Sequence, residues 1–302
     1  MYQRYMERYR RKLFRKVNNN DLIYAAGIAL CGIASILAWW IGFTNPINLQ
    51  KLYWVVHLDD LYLHTNGLPA IIRIIFSFVI LGLSYWLAFR WAGQTRSKLA
   101  WFVLGVSVVA QAAVLLYMAP FASNDIFDNI SHGRILGIYG LNPFKYIPSY
   151  FPSDPFTAYD GWPHAPSAYG PLWELLAGLT AKLVGNGFVK NILAFKIVPG
   201  VFLFGSAILI ALILRSWAPR RALSGTLLLA WNPVVLFEVW GNGHNDPVFV
   251  FWVILAVWAL RKRHYSIAVL SLVAGALVKY IPVLFLPAAG LIALQALPNL
   301  KE

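Results

Sequence analysis

The most constraining feature of this sequence is a series of long apolar runs, because each run must be buried in a protein core or in a lipid bilayer. The runs cover residues 22–43, 69–90, 99–121, 192–214, 222–240, 247–260, 266–278 and 281–297. A helix that crosses a bilayer needs about 20 apolar residues. With 59% hydrophobic and 12% charged residues among 302, the chain is far more apolar than a soluble domain. We therefore predict an all-α polytopic membrane protein with about 8 spanning helices, forming a single integral membrane domain over residues 1–302.

Basic residues are concentrated in short clusters between the runs, and these clusters set the expected orientation. The clusters lie at 4–16, 90–98, 215–221 and 261–263. Lys and Arg are enriched in cytoplasmic loops, so the N-terminal segment 1–21 and the other clusters should face the cytoplasm. Segments 44–68, 122–170 and 241–246 should face outside. We predict a multi-pass protein of the inner (plasma) membrane. The same distribution explains the net charge of +13 without a nucleic-acid partner.

One further apolar run, 171–184, does not fit this scheme as a full crossing. Segment 122–170 is expected outside and 215–221 inside, so an odd number of crossings must separate them. At about 1.5 Å per residue the run is too short for a hydrocarbon core of about 30 Å. We predict that it is a re-entrant or short, partly inserted helix. Such backbone is tolerated at membrane depth where it lines a cavity.

Polar side chains that could carry chemistry begin directly after the third apolar run. Asp125, Asp128 and His132 are spaced i, i+3 and i+7, so they should share one face of a helix. Apolar residues between them predict a short amphipathic helix on the external membrane surface, with Ser123 as a plausible N-cap. The carboxylates could form a site with His132. Alternatively they only cap the helix while His132 faces water.

A second polar group follows in the external loop and the short helix after it. Tyr169 precedes Gly170 and Pro171, and proline suits a first helical turn. Glu174 is then a charge near the start of an apolar helix, which is costly without a polar partner. Glu174 either contributes to a polar site or reaches water at the membrane interface.

A third group lies near the C-terminal end of the chain. His244, Asn245 and Asp246 follow two glycines, with Glu238 one turn earlier. The glycines are explained by a tight turn, but the packing of so many polar residues together favours a functional role. Lys279 ends the run 266–278 and is expected near the outer leaflet. It could extend to the lipid headgroups or bind a lipid phosphate.

Metal and cofactor signals are weak. The single cysteine, Cys31, lies within an apolar run, and there is no Cys/His cluster. We expect no cofactor and no metal ligands, although a divalent cation on the carboxylates stays open because Mg²⁺ needs only one or two of them.

The ordered set of motifs resembles the C-type (GT-C) membrane glycosyltransferases, and is most similar to the bacterial polyprenyl-phosphate-mannose-dependent α-mannosyltransferases. The matching pieces are Asp125 to Gly133-Arg134, Asn142-Pro143-Phe144, Tyr169-Gly170-Pro171-Leu172, Asn232-Pro233, Gly243-His244-Asn245-Asp246 and Val278-Lys279. They cover roughly residues 120–285. Enzymes of this group usually continue through several more spans, whereas this sequence ends at Glu302.

The resemblance implies transfer of a hexose, mannose in the nearest group, from a polyprenyl-phosphate-linked donor to a hydroxyl of a glycan or glycolipid acceptor. The transfer would occur on the external face, by inversion, with membrane lipids around the protein. By analogy Asp125 is the expected catalytic base, with Asp128 in reserve. The expected donor-phosphate ligands are Arg134, His132 and Lys279. The expected sugar and acceptor ligands are Tyr169, Glu174, His244, Asn245 and Asp246.

Two other function classes compete with this interpretation. A transporter or flippase for a lipid-linked or small polar solute would also have broken helices, but it would place its polar groups within the spans and often shows inverted repeats. A non-catalytic scaffold that keeps the fold would bind the lipid donor without turnover. The clustering of polar residues toward one face favours an enzyme.

Overall fold

A computed structural model describes residues 19–52 and 67–295, and within these ranges the chain is helical apart from turns and one isolated bridge between Asn48 and Met118. The α-helices of the described ranges are α1 Asn19–Trp39, α2 Leu49–Leu52, α3 Leu68–Ala92, α4 Lys98–Leu116, α5 Asp125–Gly137, α6 Pro171–Val184, α7 Phe188–Trp217, α8 Ala222–Ala230, α9 Pro233–Leu236, α10 Asp246–Arg261, α11 Tyr265–Ala276 and α12 Leu286–Gln295. Two segments are π-helical, Trp40–Thr44 and Phe237–Gly241.

Four helical segments of the described chain are long and apolar enough to cross a membrane. They are Asn19–Thr44, Leu68–Ala92, Lys98–Leu116 and Phe188–Trp217. A fifth crossing is formed if the pair Pro219–Ala230 and Pro233–Gly241, bent by 44°, counts as one broken span. The bend lies at Asn232-Pro233, where proline cannot donate to the preceding turn and the Asn232 side chain caps the new helix by accepting from Val234 N–H at 3.0 Å.

The prediction of about eight spans is not confirmed. The last three apolar runs form α10, α11 and α12, which have 16, 12 and 10 residues. Pro282 explains part of the shortening, because it starts a 3-10 segment, Ile281–Phe285, that separates α11 from α12. Within the described part of the run predicted at 281–297, the chain therefore forms a 3-10 segment followed by a helix of 10 residues.

The spans pack through small residues and a few buried polar contacts. Helix α1 lies against α3 and α4, where Gly27 is covered by the Trp91 ring and Gly32 by the Ser107 side chain. The Trp39 indole donates to Gln111 at 3.1 Å, which satisfies both buried groups. The opposite face of α3 carries exposed Leu, Ile and Phe side chains, as expected for a helix that faces lipid.

Helix α5 corrects the prediction of an external interfacial helix. It forms where the sequence predicts, but ten of its 13 residues are buried, so it does not lie on a membrane surface with one face in water. Gly133 and Gly137 explain this burial, because their Cα atoms lie against the backbone of Ala177 and Gly178 in α6. Helix α5 is therefore enclosed between α6, α7 and the loop that follows it.

Helix α6 is continuous and has 14 residues, about 21 Å at the usual rise. Its outer side presents Leu175, Leu179 and Leu183, while Trp173, Ala177 and Ala181 are buried against α5 and α7. The helix therefore has one exposed apolar face and one face against the protein, and its partial insertion into the membrane stays a prediction.

Candidate functional site

The site is built where the start of α5 meets the turn between Gly241 and Asp246. Asn242 is fully buried in that turn, and its side-chain oxygen accepts from the N–H groups of Phe121 and Ala122, at 3.3 and 3.2 Å. Two segments more than 110 residues apart in the chain are therefore held side by side. The first and third polar groups predicted from the sequence become one cluster.

The central feature of the cluster is a row of three ionisable side chains. His244 Nε2 lies 3.4 Å from Asp125 Oδ2, and His244 Nδ1 lies 3.0 Å from Glu238 Oε2. The hydrogen bond to Glu238 raises the pKa of His244, burial opposes this, and the charges of Glu238 and Asp125 add to the increase. The two flanking carboxyl groups therefore favour the protonated form of His244. Asp125 and Glu238 keep 26% and 38% of their side chains exposed, so an incoming hydroxyl can reach either carboxylate.

The second feature is an ion pair beside this row. Lys279 Nζ lies 2.7 Å from Asp246 Oδ1, and it also approaches the rings of Tyr169 at 5.7 Å and Phe249 at 5.9 Å. An ammonium group has three donors, so the pair leaves Lys279 able to bind another anion. Burial raises the pKa of the Tyr169 hydroxyl, as do the charges of Asp125, Asp128 and Asp246, so Tyr169 is a neutral donor.

Asn129 links the cluster to its support. Its side-chain oxygen accepts from Trp173 Nε1 at 2.7 Å and from Asn245 Nδ2 at 3.3 Å. Asn245 is 2% exposed, so it points inward and fastens the turn to α5. The predicted role of Asn245 as a sugar or acceptor ligand is not supported by this position.

A buried group of carboxyls lies behind the cluster. His132 Nδ1 is 3.2 Å from Asp128 Oδ1, and Ser167 donates to Glu174 at 2.6 Å. Burial raises the pKa of Glu174 to about 7, against the lowering effects of the Ser167 hydroxyl and the His132 charge. Burial alone would lower the pKa of His132, but Asp128, Glu174 and Asp160 outweigh it and raise the value.

These buried positions revise the sequence-based roles. Glu174 and His132 are 2% and 1% exposed, and the ring of His132 also contacts the carbonyl oxygen of Ala165 at 3.3 Å. His132 is therefore neither solvated nor placed to bind a donor phosphate, because the loop 163–170 covers it. Asp128, 8% exposed, is the partner of His132 and is less accessible than Asp125.

Arg134 lies apart from the cluster, and this corrects its expected role as a phosphate ligand. Its Nε donates to Asp154 Oδ2 at 2.7 Å, and its terminal nitrogens donate to the Gly185 carbonyl and the Asn186 side chain. The guanidinium is 3% exposed and lies over the Phe156 ring. It connects α5, the loop that follows α5 and the α6–α7 turn, so it is a structural cation.

An apolar cavity opens directly beside the cluster. It has a volume of about 250 Å³ and lies between α7, the broken span and α10. Its wall is apolar, with Leu203, Leu229, Val234 and Val250, and its mouth carries Glu238, His244 and Asp246. The cavity thus joins a hydrocarbon-like slot to the charged row.

Two contributors were missed by the sequence analysis. Asn129 could have been noticed because it lies four residues after Asp125 and so one helical turn along α5. Lys196, in the middle of an apolar run, is fully buried and donates to the Met118 carbonyl at 2.5 Å. Among the described residues, no group of three or more His, Cys, Asp or Glu side chains is arranged to hold a metal ion.

A family model described as "Alpha-(1->6)-mannopyranosyltransferase, N-terminal domain", of the MptA_B family, matches residues 62–295. The chain belongs to the MptA_B family. That match includes every member of the charged row and the cavity wall. The motifs that resemble polyprenyl-phosphate-dependent mannosyltransferases are thus accounted for by membership of a mannosyltransferase family.

A relative of this chain supports the same family assignment. Alpha-(1->6)-mannopyranosyltransferase A of Corynebacterium glutamicum is 25% identical over 174 residues, which is 57% of this chain and 35% of the relative. The aligned part therefore spans about a third of that relative's length. No solved structure matches the chain.

Proposed function

We propose that this protein is a glycosyltransferase that moves a hexose, mannose by family, from a polyprenyl-phosphate-linked donor to an acceptor hydroxyl. The observation that carries the proposal is the position of Asp125: a partly exposed carboxylate 3.4 Å from His244 Nε2, where His244 itself lines an apolar cavity. A lipid-linked sugar needs an apolar slot next to a polar reaction centre, and this arrangement provides both.

The chemistry assigned to the site is a direct displacement. Asp125 accepts the proton of the acceptor hydroxyl, and the acceptor oxygen forms a bond to the sugar's C1. The bond between C1 and the phosphate oxygen breaks, and its electron pair leaves on the phosphate. Lys279 and the His244 imidazolium are the cations that lie nearest this position and would offset the growing charge. One displacement of this kind inverts the configuration at C1.

Sugar recognition is assigned to the rim of the cluster. Tyr169 supplies a neutral hydroxyl donor, and Asp246 supplies a carboxylate with 41% of its side chain exposed. We place this rim outside the cytoplasm, because the basic clusters 215–221 and 261–263 lie at the opposite ends of α7 and α10. The protein is accordingly proposed to be a multi-pass protein of the inner membrane, with membrane lipids and a glycan or glycolipid acceptor as partners.

The donor class can be tested with a pair of valine substitutions on α10. Val250→Trp fills the cavity, whereas Val257→Trp adds the same volume to a position that is 45% exposed on the same helix. We expect Val250→Trp to lower transfer from radiolabelled polyprenyl phosphomannose about tenfold, the equivalent of ~1.4 kcal/mol, and Val257→Trp to leave it near the parent rate.

The assay is run on membranes containing the full chain, with a water-soluble nucleotide sugar as the comparison donor. Transfer from the nucleotide sugar alone would contradict a lipid-linked donor. Movement of labelled lipid across sealed vesicles without sugar transfer would favour a flippase, and binding of the donor without either process would favour a scaffold.

A further inference from the structure

Glu238 is the one member of the charged row that the sugar-transfer chemistry above does not use. It lies in the π-helical segment Phe237–Gly241, at the end of the broken span. A π-helical turn departs from the regular hydrogen-bond ladder and often marks a functional position. Glu238 has 38% of its side chain exposed, so it is not required as a buried structural charge.

Both the side chain and the backbone of Glu238 hold His244. The carboxylate lies 3.0 Å from His244 Nδ1, and the Glu238 carbonyl accepts from the His244 backbone N–H at 3.0 Å. Asn242 Nδ2 donates to the same carboxylate at 3.4 Å. The contact at Nδ1 sets the direction of the imidazole ring, and the other two hold the backbone of His244 and the carboxylate in place. The remaining ring nitrogen, Nε2, faces Asp125.

The charged groups around His244 favour one protonation state. Glu238 faces it from the broken span and Asp125 from α5. Asp246, two residues further along the chain, is neutralised by Lys279 from the segment after α11. A histidine between two carboxylates carries a proton on each nitrogen, because either carboxylate would otherwise face a lone pair.

We propose that Glu238 is a positioning residue for sugar transfer, which keeps His244 doubly protonated and aimed at Asp125 so that a fixed positive charge stands between the base and the departing phosphate. This inference rests on the proposed function. Glu238 itself touches neither the base nor the reacting atoms, and it acts through His244. Glu238 therefore contributes by keeping His244 charged, and not by packing against its neighbours.

The first test measures His244 directly and needs no enzymatic activity. Histidine labelled with ¹³C is incorporated into the full chain in nanodiscs, and the His244 signal is assigned by its loss in His244→Gln. We expect the titration midpoint of His244 to fall by about one pH unit in Glu238→Gln. Glu238→Asp keeps the charge and should recover most of the shift. An unchanged midpoint in Glu238→Gln would overturn the inference.

The second test is the pH profile of sugar transfer. In Glu238→Gln the alkaline limb of kcat should move to lower pH by about one unit, while kcat near pH 5.5 stays within about twofold of the parent, because His244 is then protonated in both proteins. KM for the acceptor should change little. A loss of kcat that is equal at every pH would assign Glu238 a purely structural role and contradict the inference.

A matched control removes a carboxylate at the other end of the molecule. Asp21 lies at the start of α1, where it accepts from the Thr95 hydroxyl, and Asp21→Asn makes the same change in net charge. It should alter neither the His244 midpoint nor the pH profile. If the parent transfers no sugar while the His244 midpoint still depends on Glu238, the proposed function fails and the coupling stands.

Discussion

At the scale of single residues, burial separates the groups that can react from those that hold the structure. Asp125 and His244 keep about a quarter of their side chains exposed, whereas Arg134 and Asp154 keep 3% and 4%. The buried Arg134–Asp154 pair is closed off from a substrate, because its side chains are covered and each guanidinium nitrogen already donates within the protein. Accessible charge at the cavity mouth, and not charge alone, therefore defines the site.

Glu174 gives a prediction about pH and stability. Burial raises its pKa to about 7 from an ordinary value of 4.5. Between these values the folded protein keeps a proton that the unfolded chain has lost, so this contribution to stability decreases as pH rises through the window and is constant above it. The difference corresponds to about 3 kcal/mol at most.

We expect Glu174→Gln, which cannot ionise, to unfold at the same temperature as the parent near pH 4.5 and at a higher temperature at pH 8. Thermal unfolding in nanodiscs at the two pH values measures this. Asp21→Asn is the control, because Asp21 lies far from Glu174 at the start of α1. Equal unfolding temperatures of Glu174→Gln and the parent at both pH values would show that Glu174 is not held in its neutral form.

Arg134 gives a second prediction at this scale. Arg134→Met leaves the Asp154 carboxylate buried without its cation, and such a loss costs about 3–5 kcal/mol. The double substitution Arg134→Met with Asp154→Asn removes the stranded charge and should recover a large part of the stability. Unfolding of the parent, single and double variants measures the effect. If Arg134→Met is instead stable and has a raised KM for the donor, the result would support the expected role of Arg134 as a ligand of the donor phosphate.

At the scale of elements, the site depends on how closely α5 packs on α6. Gly137 lies against the Gly178 carbonyl, and Gly133 lies against the carbonyl of Ala177. Small residues at such positions let two helices approach to backbone contact. The contact fixes α5, and Asp125 is the first residue of that helix.

Gly137→Ala should therefore separate α5 from α6. Its new methyl group would meet the Gly178 backbone, which cannot turn away as a side chain can, and overpacking of this kind costs about 1–3 kcal/mol. Gly105→Ala in α4 is the matched control, because a methyl group there meets nothing within 4 Å. Thermal unfolding should show a loss for Gly137→Ala only, and equal behaviour of the two variants would contradict the close contact.

Apolar periodicity predicted the long helices well and the short ones poorly. The runs at 22–43, 69–90 and 192–214 each lie within one continuous helical segment, since a helix satisfies backbone hydrogen bonds within itself where the chain faces lipid. The amphipathic pattern of α5 was read as a membrane-surface helix. A buried helix with a polar side facing other polar groups has the same pattern, so only the tertiary structure distinguishes the two.

The candidate site was predictable only in part, because some of its features depend on contacts between distant segments of the chain. Residue type and order selected Asp125, His244, Asp246, Tyr169 and Lys279, which the structure brings together at one end of the bundle. The inward direction of Asn245 and the pairing of Arg134 with Asp154 depend on contacts between distant segments. Spacing along one helix or turn contains no information about such contacts.

At the scale of the whole molecule, the candidate site lies at one end of the described helices, and the basic clusters 90–98, 215–221 and 261–263 lie at the other. This asymmetry predicts that the loop after α5 faces outside and the end of α7 faces the cytoplasm. Single cysteines at Trp162 and Trp217, which are 53% and 68% exposed, can be placed in a Cys31→Ser background. A membrane-impermeant maleimide should label position 162 in intact cells and position 217 only after permeabilisation. Labelling of both positions in intact cells would contradict the orientation.

The most direct test of the central claim is the initial rate of mannose transfer from polyprenyl phosphomannose for Asp125→Asn beside Asp128→Asn. Both changes remove one carboxylate from α5 and keep its size, but Asp125 keeps 26% of its side chain exposed beside His244, whereas Asp128 is buried. We predict that Asp125→Asn lowers the rate by at least about 10²–10⁴-fold, the usual contribution of a general base, with folding and expression unchanged. Asp128→Asn should retain most of the parent rate. Equal rates for the parent and Asp125→Asn would contradict the assignment of Asp125 as the base.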